Sequence, residues 1–312
     1  MAEHGSSRAG LWFALTAYGL WGMMPLYFRA VSQISPKELL THRIVWSVAF
    51  LAIILTLTRR WESLFHSLGN ARTRLILGLS TILIAINWFV FIYGVAIGQI
   101  VQNSLGYFIN PLFNILIGVF FFRERLRPVQ WIGLGLASCG LIYLILSMGK
   151  VPWIAIILAS SFAGYGVIRK IAPVDSLVGL TVETLYLLPF SALLLLWWGR
   201  QGLLGFMTHG WLVDLGLIAS GVVTAVPLLC FGAAARRLPL STLGFIQYLS
   251  PTLQFLLAVL YFGEPFQHAQ KVCFGLIWTA LLLVTLDSLR KRNPVPRLPK
   301  IEPSDPPASK PS

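Results

Sequence analysis

Residues 102–127 read QNSLGYFINPLFNILIGVFFFRERLR, an apolar run with Pro111 near its middle and a basic cluster, Arg123, Arg125 and Arg127, at its end. A run of this length can cross a bilayer as a helix, which takes about 20 residues. Residues 242–267, TLGFIQYLSPTLQFLLAVLYFGEPFQ, repeat its outline. At an offset of about 140, Phe108-Ile109-Asn110-Pro111 lines up with Tyr248-Leu249-Ser250-Pro251, and Glu124 lines up with Glu264. Earlier in the two halves Arg29 meets Lys170, and His42 meets Glu183. The basic cluster is what differs, because the second copy has lost every Arg of the first.

The rest of the chain has the same character. Of 312 residues 56% are hydrophobic and only 11% charged, and mean hydropathy is +0.76. A water-soluble domain cannot hide that much apolar surface. Charged and Pro/Gly/Asn-rich breaks cut the sequence into ten apolar stretches, at about 10–31, 36–58, 74–97, 102–122, 129–147, 151–168, 175–198, 211–233, 239–262 and 269–289. The expected fold is therefore an all-α integral membrane protein of ten transmembrane helices. The first stretch reads as an anchor and not a cleaved leader, since only Arg8 precedes it and nine similar segments follow. The tail, residues 291–312, is proline-rich and is expected to be disordered. Cys139, Cys230 and Cys273 fall on three different stretches without CxxC spacing, which points to packing and not to zinc or a disulfide framework.

The net charge of +13 is explained by topology better than by nucleic acid. With the N-terminus in the cytoplasm, eighteen Lys and Arg lie inside and five (Arg29, Lys37, Lys150, Arg200 and Lys271) lie outside, while Arg43 falls within a span. Both termini are then cytoplasmic. Each half, 10–147 and 151–290, has five spans, an odd number, so the second enters the membrane from the opposite side. Charge follows that demand: Arg123-Glu124-Arg125-Leu126-Arg127 faces Gly263-Glu264-Pro265-Phe266-Gln267, and uncharged Gly98 to Val101 faces Arg236-Arg237. The reading is two inverted five-helix repeats, a recurrent transporter plan.

Matched prolines, Pro111 and Pro251, each remove a backbone hydrogen bond and are expected as helix breaks, with a packing kink as the alternative. Tyr107, Asn110, Gln247, Tyr248 and Ser250 beside them are candidates to line a central cavity. Ionisable groups inside spans cost roughly 2.5–3.5 kcal/mol on insertion scales and call for a partner or a watery path. They are His42, Arg43 and Glu183. Glu38 lies one turn before His42, so a local Glu38–His42 pair is expected. Glu183, roughly 12 Å into its span, is a candidate proton-coupling or cation site. Burial disfavours its ionised form and a nearby Arg43 favours it; a static Arg43–Glu183 pair is the plainer alternative. Asn87 and Asn103 are further polar candidates, and Trp21, Trp88 and Tyr93 are candidates to stack a planar solute. Gly133, Gly135, Ala137, Cys139 and Gly140 on the fifth stretch permit close helix contact.

These features resemble the drug/metabolite transporter superfamily, and within it the EamA-type permeases of the RarD (chloramphenicol-sensitive protein) family. The residues are Tyr18-Gly19-Leu20-Trp21-Gly22 with Pro25-Leu26-Tyr27-Phe28, Glu38-Leu39-Leu40-Thr41-His42-Arg43 with Trp46, Asn87-Trp88, Leu105 to Leu112 and Arg123 to Leu126. In the second half they are Ser161 to Gly166, Arg169-Lys170, Glu183-Thr184, Gln247-Tyr248 and Ser250-Pro251-Thr252. The resemblance covers about residues 10 to 290 and implies a gradient-driven permease for a small organic solute, drug or metabolite, in the cell (inner) membrane, with no cofactor and no metal. It leaves the solute open. In this superfamily the fifth and tenth helices are associated with dimer packing, which makes a homodimer one reading of the small residues. A channel or a membrane-embedded sensor is the alternative; an intramembrane enzyme would need clustered catalytic groups, and no HExxH or Walker A pattern is present.

Overall fold

The computed structural model describes residues 2–149, 151–263 and 268–290. Lys150, residues 264–267 with the expected match Glu264, and the tail 291–312 lie outside the described residues. The chain runs through α1 (Ala2–Gly22), α2 (Met24–Ala30), α3 (Pro36–Thr58), a short α4 (Trp61–Gly69), α5 (Ala71–Ala96), α6 (Ile100–Phe120), α7 (Pro128–Ser147), α8 (Trp153–Ile171), α9 (Ser176–Arg200) and α10 (Trp211–Ala235). It closes with α11 (Leu240–Gln247), α12 (Leu249–Leu256), a π-helical turn (Leu257–Tyr261) and α13 (His268–Arg290). Among the described residues there is no strand, and nine helices are long and apolar enough to cross a membrane by length and composition.

Side chains set many of the boundaries. Ser35 accepts the Glu38 amide ahead of Pro36, Asn70 accepts the Thr73 amide, and Asp175 accepts those of Leu177 and Val178. Each fills a donor that a helix start leaves without an intrahelical partner.

The stretch expected as one helix over 10–31 is instead two, α1 and α2, meeting at Met23. Pro25 has no N–H to offer the Trp21 carbonyl one turn back, so the ladder fails there. The Nε2 of Gln254 on α12 donates to that carbonyl at 3.0 Å, which satisfies a group that lipid would leave bare. At Pro111 the expected break does not interrupt α6, which continues as a helix across it. Pro251 lies in the first turn of α12, and the helix is interrupted at Tyr248, beside the Gln247 carbonyl that Pro251 has no N–H to meet.

The helices pack as α7 on α13, α6 on α8, α10 on α3 and α1, α5 on α8 and α9, α3 on α9, α11 on α6, and α1 on α12. Glycines allow the closest crossings. A Cβ on Gly244 would fall 2.7 Å from the Pro111 carbonyl oxygen. Gly133 and Gly140 face α13, where added carbons would meet Val284 at 2.9 Å and the Cys273 carbonyl at 3.1 Å. Close contact within the chain thus uses part of the small-residue pattern of α7. The tightest crossing is α10 on α3: a Cβ on Gly221 would come within 2.3 Å of the Trp46 backbone. Backbone cannot swing aside as a side chain can, so Gly221→Ala is expected to destabilise the protein by about 1–3 kcal/mol, the usual range for overpacking. Thermal unfolding in detergent, set against Gly135→Ala where nothing lies within 4 Å, is the check.

Candidate functional site

One end of the bundle gathers Arg59 after α3, Arg72 and Arg74 at the start of α5, Arg123 after α6, and Arg236 after α10. A cavity of about 420 Å³ lies toward the other end. Its walls come from the second part of α5 (Ile84 to Val95), the first part of α6 (Asn103 to Asn110) and of α8 (Leu158, Phe162), and the α1–α2 junction, closed by α3, α10, α11 and α12. Aromatic rings dominate: Trp21, Phe28, Trp88, Phe91, Tyr107 and Phe162.

Its floor is an amide network. Gln247 Nε2 donates to Asn110 Oδ1 at 2.8 Å, and Asn114 Nδ2 donates to Asn110 Oδ1 at 3.1 Å and to Gln247 Oε1 at 2.6 Å. Asn110 Nδ2 in turn donates to the Ala159 carbonyl at 3.2 Å. The network joins α6, α8 and α11 at one depth, so the amides that approach the cavity are already held in place by one another.

Above the floor stands Arg43. It is the one charged side chain among the described residues that line the cavity. Its Nε donates to Thr224 Oγ1 at 2.8 Å, and its guanidinium carbon lies 5.6 Å from the centroid of the Trp88 ring. Asn87 holds the wall by donating to the Leu158 carbonyl at 2.8 Å and to Ser161 Oγ at 3.1 Å.

The residues singled out from the sequence separate into two groups. Arg43, Asn87, Tyr107, Asn110, Gln247 and Pro251 line the cavity, together with Trp21, Trp88, Asn103 and Ser250. His42, Pro111, Glu183 and Tyr248 do not; Tyr93 is also outside, packed on Phe89 and Trp153. His42 is buried against Phe206, its Nε2 3.7 Å from Glu38 Oε1 as expected for that pair, while the same oxygen accepts the amides of Gly205 and Phe206. Tyr248 is packed in the core between α6 and α13.

The Arg43–Glu183 pair does not form. Glu183, 2% exposed, meets Arg169 Nη1 at 3.3 Å, Ser80 Oγ at 2.7 Å and the Tyr165 hydroxyl at 3.1 Å. Arg169 is 1% exposed and also donates to the Ser176 carbonyl at 3.0 Å. Counted from the sequence as an end-of-helix charge, it turns inward because Gly179 leaves room: a Cβ there would fall 1.9 Å from Arg169 Nη1. Gly179 one turn before Glu183 on α9 is the sequence signal that could have placed a bulky partner there. Thr224, Asn114 and Gln254 are the other contributors that sequence reasoning missed.

The profile of the EamA-like transporter family matches residues 8–146. The chain is 42% identical to an uncharacterized transporter of Vibrio cholerae serotype O1, over 91% of this chain and 94% of that one. It is 42% identical to Protein RarD of Escherichia coli strain K12, over 91% of this chain and 96% of the other. A solved crystal structure 21% identical in sequence shares the fold, with a TM-score of 0.67 over 91% of this chain and 99% of that one. An apolar helical bundle with a central cavity, and relatives of this kind, define a multi-pass membrane transporter of small solutes. The chain belongs to the RarD family of EamA-like permeases.

Proposed function

We propose that this protein is a gradient-driven carrier of a small organic solute, built of ten spans in two inverted five-helix repeats, 10–147 and 151–290, with the solute bound in the aromatic cavity between them. Both termini lie in the cytoplasm of a cell whose inner membrane holds the protein, so the basic end faces inward and the cavity outward. The observation that carries the reading is the meeting of matched segments at the cavity: Asn110 beside Pro111 and Gln247 near Pro251 are bonded to each other. The packing supports it too. Advancing each helix by one repeat turns α1 on α10 into α8 on α5, α6 on α8 into α12 on α1, and α3 on α10 into α9 on α5, all of which occur. Arg29 over Phe262, at 5.0 Å, answers Lys170 over Phe122, at 5.6 Å.

Alternation follows from where these equivalent contacts differ. At the basic end Lys170 Nζ donates to the Leu238 carbonyl at 2.6 Å and the Ala235 carbonyl at 3.3 Å, and Glu124 accepts the amides of Leu240 and Ser241 at 2.8 Å each. Those bonds shut that side of the cavity. At the other end Arg29 makes no such bond to the close of α5 among the described residues, and that side is open. Exchanging the two sets of contacts carries the solute across. The Arg169–Glu183 pair, away from the cavity, acts as a structural clamp between α8 and α9 and not as the coupling site.

Uptake of a panel of metabolites and drugs into proteoliposomes, with and without a proton gradient, tests the reading. Saturable flux with counterflow, accumulating only under the gradient, is the expected result. Flux that rises linearly with concentration and shows no counterflow would mean a channel.

A further inference from the structure

We propose that the solute is an organic anion, a carboxylate on a planar apolar body, and that Arg43 is the residue that binds its charge. This rests on the reading of the cavity as the solute site and adds the chemical class. The ground is a charge left without a counterpart. Among the described residues the cavity wall holds one cation, Arg43, and no Asp or Glu. Glu183 and Glu38, buried carboxylates that do not line the cavity, are committed elsewhere: Glu183 to Arg169, Ser80 and Tyr165, and Glu38 to the Gly205–Phe206 backbone and His42.

An ionised group set in a largely apolar wall is best matched by something of opposite sign. Arg43 is only partly compensated by the Thr224 hydroxyl and the face of Trp88. Both contacts leave the outer edge of the guanidinium unused, since Thr224 takes Nε and no described residue accepts from Nη1 or Nη2. That edge is a planar fork suited to the two oxygens of a carboxylate. Tyr18, another residue of the cavity lining, has a buried hydroxyl without a hydrogen-bond partner among the described residues. Trp21, Phe91 and Phe162 in the same lining offer faces and edges for a flat apolar body. A cationic solute would face Arg43 with no acid to hold it, and a neutral one would leave the guanidinium unmatched.

The test is equilibrium binding, which needs no transport. Purified protein in phosphatidylcholine nanodiscs is titrated with 2-naphthoate, 2-naphthamide and 2-naphthylmethylamine, followed by quenching of tryptophan fluorescence. The naphthoate is expected to bind at least tenfold more tightly than the amide, and the amine more weakly than either. Arg43→Gln removes the preference for the acid over the amide, while Arg43→Lys, a point charge without the fork, keeps part of it. The wild-type comparison stands even where a variant fails to fold. Equal binding of acid and amide, tighter binding of the amine, or an unchanged preference in Arg43→Gln overturns the proposal.

Two further arms separate its failure from others. Adding phosphatidylglycerol to the discs leaves naphthoate affinity within twofold if the site takes free solutes; displacement in proportion to that lipid would assign Arg43 to a headgroup and overturn the proposal. Saturable counterflow of neutral solutes that is indifferent to Arg43→Gln would keep the carrier and sink the anion. A strong acid preference in a protein that moves nothing would keep the anion site and sink the carrier.

Discussion

Glu183→Ala is expected to destabilise the protein by about 3–5 kcal/mol, the usual cost of removing one partner from a buried ion pair. Arg169 would be left as a cation at 1% exposure, with the Ser176 carbonyl as its remaining charge-assisted contact, while Ser80 and Tyr165 would lose the acceptor they share. In a membrane the penalty is not relieved by inflowing water. The double replacement Arg169→Met with Glu183→Leu is expected to recover most of the loss, because an apolar pair of similar volume needs no desolvated charge to be matched. Unfolding in detergent, monitored by size exclusion after heating, ranks the three proteins. Transport by the double variant then separates clamp from coupling. If its flux still responds to a proton gradient as the wild type does, Glu183 holds helices together; if stability returns but the response is gone, the carboxylate is the coupling group after all.

How much of this was readable beforehand depended on whether the signal was local. The span over 36–58 coincides with α3, Pro36–Thr58, because Ser35-Pro36 starts it and the left-handed Arg59 stops it. The α1–α2 junction was hidden in an apolar run that continues through Met23 and Met24, although Pro25 marked the place where a carbonyl would lose its donor. The same logic misled at Pro111, where the helix persists across the proline.

Cavity residues were found where a polar group stood in an apolar span and had to face something, as Arg43, Asn87, Asn110 and Gln247 do. Thr224 escaped notice because a threonine can satisfy itself on its own helix. Glu183 was assigned the wrong partner for a different reason. Arg43 was the only Arg counted inside a span, while Arg169, next to Lys170 at a helix end, read as a solvated charge. Which way such a side chain turns depends on Gly179, in another helix, and on contacts that spacing along the chain cannot reveal.

Lys170→Ala is expected to unlock the basic end. Its two bonds to the Leu238 and Ala235 carbonyls bind the end of α8 to the end of α10. A hydrogen bond from a charged donor is worth about 1.5–3 kcal/mol, and about 1.4 kcal/mol is tenfold in an equilibrium. Losing the shorter of the two bonds alone should therefore raise the population open at that end by about tenfold to a hundredfold, provided the open form gains no equivalent bond. The reporter is a single cysteine at Leu243, fully buried on α11 near the closed end, in a background with Cys139, Cys230 and Cys273 replaced by alanine. In the wild type its alkylation by a membrane-impermeant maleimide from the basic side should be slow; Lys170→Ala should accelerate it at least tenfold. Arg29→Ala weakens the equivalent latch of the opposite state and should slow it further. These opposite responses are what distinguish a latch from general loosening, which would speed alkylation in both variants. If Lys170→Ala left the rate unchanged, the bonds at the end of α10 would be a feature of packing, and the exchange of equivalent contacts between repeats would lose its physical basis.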